Sequence, residues 1–210
     1  MYNLLKNQLK SFFFYKGVAS SIIFSNLVTM ISLVMIHKDI DIKFLPTLLI
    51  VLPILALANQ VSQVFSEDYI SGRLEFVLVT HEVEVIVSTK VLGCFIVAYF
   101  SVILNNLCAY LFFNVDKWLI FNVLIASIPV VIIVSSIVVL IGSMQLYFDR
   151  NSNILTGVIF PFLIPSFILY GLYFDSLNPV YLYLLLGLGL IYISINSYLS
   201  NSLLRDLYNR

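Results

Sequence analysis

The feature that most constrains this chain is where its charges are missing. Asp, Glu, Lys and Arg are confined to short clusters, which leaves six continuously apolar, charge-free runs at 17–36, 44–66, 91–115, 118–148, 151–174 and 176–204. A bilayer hydrocarbon core of about 30 Å takes roughly 20 helical residues, so each run crosses once and none crosses twice comfortably. Strands of a membrane barrel alternate apolar and polar positions over about ten residues, a pattern these runs lack. The expected fold is therefore an all-α integral membrane protein of six transmembrane helices, one domain over 1–210, with both termini on the same side. Composition agrees, because 10% charged residues is well below the roughly one quarter usual in soluble domains.

Basic residues in short loops set orientation. With cytoplasmic termini the inner side holds Lys6, Lys10, Lys16, Arg73, Lys90, Arg150, Arg205 and Arg210, against Lys38, Lys43 and Lys117 outside. The first run is too long for a cleaved signal peptide and lacks a small-residue exit site, so it is expected to stay as a span. Residues 1–16 place Leu5, Leu9, Phe12 and Phe13 at helical spacing beside Lys6 and Lys10. That pattern fits a cytoplasmic amphipathic segment lying in the interface, and equally a basic tail that only orients the first span.

The same charge map excludes several functions. Eleven basic and eleven acidic residues sum to zero, which leaves no basic surface for neutralising nucleic-acid phosphates. No G-x-x-x-x-G-K-[ST] loop is present, so ATP must be handled by a partner. None of the six runs contains Asp, Glu, His, Lys or Arg, so neither a proton relay nor membrane acid–base catalysis is expected. Cys94 and Cys108 lie in one run, about 21 Å apart along a helix, too far for a disulfide. His37 and His81 stand alone in loops. The chain is expected to be non-catalytic, to bind no cofactor directly and to hold no metal.

The long interruption at 67–90 is the one place where a soluble partner has room to engage. On a helix Ile70, Leu74, Val77 and Leu78 share one face, while Asp68, Ser71, Glu75 and Glu82 lie on or near the other. Glu67 and Asp68 would suit the positive end of that helix. The reading is a cytoplasmic coupling helix between spans two and three that inserts into a groove of a motor domain. The alternative, a helix resting on lipid, is opposed by its acidic balance at an anionic leaflet.

The residues of this segment carry a resemblance. Phe65-Ser66-Glu67-Asp68-Tyr69-Ile70-Ser71-Gly72-Arg73-Leu74-Glu75, then Leu78 and Lys90 opening the third span, resembles the F-x-x-D-x-x-x-G-x-L-E segment and downstream lysine of the CcmB family, haem exporter protein B of cytochrome c maturation. Pro161-Phe162-Leu163-Ile164-Pro165 is similar to that family's P-x-x-x-P stretch. Where the family carries prolines after L-E, this chain reads Val79-Thr80-His81-Glu82-Val83-Glu84. The resemblance implies an ABC-2-type permease subunit in a bacterial inner membrane. It implies a separate CcmA-like ATPase subunit, CcmC-, CcmD- and CcmE-like partners, two copies per complex, and ATP used only through the ATPase. It further implies ATPase coupling through Phe65, Glu67, Asp68, Gly72, Leu74, Glu75, Leu78 and Lys90. The work done is haem export or release of a haem-loaded chaperone, and the absence of basic residues in the runs leans toward release. A permease for another amphiphile and a non-transporting scaffold for the ATPase are the other readings.

Prolines, a polar cluster and one tryptophan complete the sequence. Gly157, Pro161 and Pro165 should bend or unwind the fifth span, because each proline removes a backbone donor. Such a break can hinge a gate or simply assist packing. Pro46, Pro53 and Pro129 read as packing kinks, Asn59, Gln60, Ser62 and Gln63 as interhelical hydrogen-bonding glue, and Trp118 as an interfacial anchor.

Overall fold

The computed structural model describes residues 45–58, 63–70, 83–113, 115–148 and 159–208, with 23, 24, 27, 28, 61, 72, 74, 75, 79 and 157. Among the described residues the regular structure is entirely helical. Six helices follow in order: α1 Leu45–Ala58, α2 Gln63–Ile70, α3 Val83–Phe113, α4 Lys117–Tyr147, α5 Ile159–Ser176 and α6 Pro179–Tyr208. The expected segment at 1–16 and nearly all of the run at 17–36 lie outside the described residues.

Three of these helices are long and apolar enough to cross a membrane: Val83–Phe112, Lys117–Tyr147 and Pro179–Tyr208. At 1.5 Å per residue they are each about 45 Å long, so their ends project beyond a hydrocarbon core of about 30 Å. Short links make neighbours antiparallel. Asp116 starts α4, its carboxylate accepting from the Trp118 N–H at 3.4 Å. Asn178 does the same for α6, accepting from the Val180 N–H at 3.0 Å, ahead of Pro179 at a position where a missing N–H costs nothing.

α4 is the spine. Of its most apolar stretch 72% is buried, against 17% for the equivalent stretch of α6, although α4 packs most extensively against α6 and next against α3. The close approach of α6 is made at Gly189, where an added Cβ would sit 3.6 Å from the Pro129 carbonyl oxygen. Asn196 of α6 donates to the Ser136 hydroxyl of α4 at 3.0 Å, so a polar bond supplements packing where water is absent.

The run at 44–66 is not one helix. α1 stops at Ala58, a turn at Val61 follows, and α2 begins at Gln63. Within α1, Pro53 lacks the N–H that would bond the Leu49 carbonyl one turn back. Asn105 of α3 fills the gap, its side-chain amide donating to the Leu49 carbonyl at 3.2 Å. The Tyr170 hydroxyl of α5 likewise donates to the Pro46 carbonyl at 3.1 Å. The proline-containing turns of α1 are thus tied to its neighbours.

Candidate functional site

The structure joins three of the residues singled out in the sequence. Asp68 in the last turn of α2 and Lys90 in the third turn of α3 form a salt bridge, and each residue is only 3% exposed. The Lys90 ammonium also donates to the Val64 carbonyl at 2.8 Å and stands 5.4 Å from the centroid of the Phe65 ring. An ammonium carries three donors on one compact charge, so carboxylate, carbonyl and aromatic face surround it in a way that offsets its lost hydration. Phe65 is itself held from the far side. Its ring lies against Gly142 of α4, where an added Cβ would come within 3.1 Å of it.

α3 starts at Val83, so Lys90 stands about 10 Å inside the helix rather than at its first turn. Neither Asp68 nor Lys90 belongs to a charge-free run, yet both are buried, and each offsets part of the other's lost hydration.

The segment after α2 also departs from the sequence reading. A single helix through residues 67–78 is not formed: α2 ends at Ile70 and Gly72 takes φ +68°, a left-handed conformation that glycine adopts without steric cost. Its N–H closes a turn on the Tyr69 carbonyl at 3.0 Å. The expected apolar face is split. Ile70 is 82% exposed while Leu74 is buried with Phe65 and Ile86 in the main core, and the expected polar face sends Asp68 inward and Glu75 outward. Leu78 and the side chain of Glu67 lie outside the described residues, as do Asn59, Gln60, Ser62 and the side chain of Gln63.

Gly157, Pro161 and Pro165 are exposed and stand apart from this cluster. α5 runs unbroken from Ile159 to Ser176 through Pro165, while Pro161 falls in the first turn, where the missing N–H has no intrahelical partner in any case. The Tyr192 hydroxyl of α6 donates to the Phe162 carbonyl at 3.1 Å, which anchors the proline-containing turn to α6. α5 is continuous through Pro165, while residue 158, between Gly157 and α5, lies outside the described residues.

Sequence reasoning missed Gly142 and the Val64 carbonyl, since neither a helical glycine nor a backbone oxygen announces its partner. It also missed a second ion pair at the ends of the long helices, Arg205 to Glu84 at 3.0 Å, with both side chains more than half exposed. Among the described residues no group of three His, Cys, Asp or Glu is placed to hold a metal ion. The buried cluster is suited to fastening α2 onto the bundle, with Phe65 and Lys90 interlocked at the junction of α2, α3 and α4.

No family model matches the chain. It is 32% identical over 182 residues to an uncharacterized protein of Rickettsia conorii, a match covering 85% of this chain and 84% of that protein. It is 31% identical over 180 residues to an uncharacterized protein of Rickettsia prowazekii, covering 85% and 84%. Identity at this level along most of both chains marks common descent, and the protein belongs to one family with these two rickettsial proteins.

Proposed function

We propose that this chain is the membrane permease subunit of an ABC transporter complex of the cytochrome c maturation type. The observation that carries the reading is that Phe65, Asp68 and Lys90, three separated positions of the motif that resembles the CcmB family, meet in one buried cluster. A motif whose residues converge in space has a physical reason to recur at that spacing. In this reading the chain has six spans with cytoplasmic termini in a bacterial inner membrane, and two copies assemble with two ATPase subunits. The junction of α2 with the turn at Gly72 and the exposed Glu75 forms the cytoplasmic contact for the ATPase. Closure of the motor moves α2, and the Asp68–Lys90 pair passes that displacement to α3 as a rigid link. Haem export, or release of a haem-loaded chaperone, is the work done.

The test is reconstitution of the chain with its ATPase subunit in liposomes. Stimulation of ATP hydrolysis should be lost in Glu75→Ala and Gly72→Val while membrane insertion persists. Unchanged stimulation and unchanged cytochrome c assembly in both variants would contradict the coupling role. Haem flux in the same liposomes marks a haem exporter, and discharge of loaded chaperone without flux marks the release function. Neither, with ATPase recruitment intact, marks a scaffold.

A further inference from the structure

Two open hollows lie between α3 and α6. One, about 430 Å³, is lined by Val91, Leu92 and Phe95 of α3 and Ile193 of α6, with Ser88 and Ser197 at one end. The other, about 170 Å³, is polar and is lined by Glu84, Tyr198, Asn201, Arg205 and Asp206. Ser88 is one turn beyond Glu84 and Ser197 one turn before Asn201, so the two hollows follow each other along the same pair of helix faces. A helix of about 45 Å centred on a hydrocarbon core of about 30 Å would carry Arg205 of α6 to headgroup depth and leave Ile193, with Phe95 across from it, in the hydrocarbon.

The polar hollow has a definite charge pattern. Arg205 faces Glu84 in an exposed ion pair, and Asp206 adds a second carboxylate. The Asn201 side-chain oxygen is buried and has no hydrogen-bond partner. The hollow therefore offers one cation for a phosphate, together with two carboxylates that call for a positively charged group bearing N–H donors. Below it the wall is apolar, and the hydroxyls of Ser88 and Thr89 are already bonded back to the Glu84 and Ile86 carbonyls.

We propose that this groove is a specific site for an aminophospholipid, with an acyl chain against Phe95 and Ile193. The phosphate sits on Arg205 and the primary ammonium faces Glu84 and Asp206. A choline headgroup has the charge but no N–H donor, and a glycerol headgroup has donors but brings net negative charge to two carboxylates. Both are weaker ligands for this site. The site needs only the membrane and is independent of any ATPase partner.

The chain contains one tryptophan, which makes a direct assay available. The full-length Trp118→Phe/Phe95→Trp variant is placed in phosphatidylcholine vesicles carrying increasing amounts of phosphatidylethanolamine or phosphatidylglycerol with brominated acyl chains. Phosphatidylethanolamine should reach half-quenching at a mole fraction about tenfold lower than phosphatidylglycerol, the worth of one charge-assisted hydrogen bond. Adding Arg205→Ala should bring the two curves together. Identical curves without that substitution, or a preference that survives it, would overturn the proposal. Leu92→Trp on the exposed rim of the same groove replaces the reporter should Phe95→Trp fail to fold.

Discussion

Among the described residues, two cross-helix ion pairs are of opposite character. Asp68–Lys90 is buried to within a few per cent and shares its ammonium with a backbone carbonyl and an aromatic ring, whereas Glu84–Arg205 lies more than half exposed at the helix ends. Coulomb attraction is common to both, so the surroundings account for the difference. In low dielectric the attraction within the buried pair is little screened, so loss of either charge is costly. At the exposed ends solvent and salt already screen the charges, and the bond can exchange with headgroups at little cost. One pair is suited to fastening an element in place and the other to being displaced by a ligand.

The largest predicted effect breaks the buried pair from one side. Lys90→Ala or Asp68→Ala should cost about 3–5 kcal/mol in unfolding of the purified protein, read by denaturant titration in detergent. Replacing both by apolar residues of similar volume, Asp68→Leu with Lys90→Met, should recover most of that loss, because the burial of both charges is then removed together. Next in size is the wall behind Phe65. Gly142→Val pushes a side chain against the buried Phe65 ring, and should cost about 1–3 kcal/mol by the same measurement. Smallest is Arg205→Ala, expected to change stability by less than about 1 kcal/mol, and by less still in high salt. A loss of similar size at Arg205 and Lys90 would erase the contrast between the two pairs.

The sequence made the helical membrane character legible because apolar runs of 20 and more residues have few other uses. Three of the expected six spans stand as long apolar helices. Helix limits were less legible. A linear scan for charge ends the third span at Lys90, but helix propagation depends on backbone bonding and on burial against partners, and α3 starts seven residues earlier at Val83. The division of 44–66 into α1 and α2 was equally hidden, since hydropathy does not register the turn at Val61. For the site, the motif carried Phe65, Asp68 and Lys90, and the structure brings them together. It could not show that Asp68 points inward and Ile70 outward, because the helical wheel assigns faces by polarity and a buried ion pair inverts that assignment. Asn105 was legible in hindsight: an amide in a charge-free run, opposite a helix with an internal proline, has a freed carbonyl to bond.

The central structural claim is that Asp68 and Lys90 act as one buried unit that holds α2 to α3. A double-mutant cycle over Asp68→Ala and Lys90→Ala, read as unfolding free energy of the detergent-solubilised protein, tests it most directly. The double variant should lose at least about 2 kcal/mol less than the two single losses added together. Losses that add to within about 0.5 kcal/mol would mean that the two residues act independently, and would contradict it.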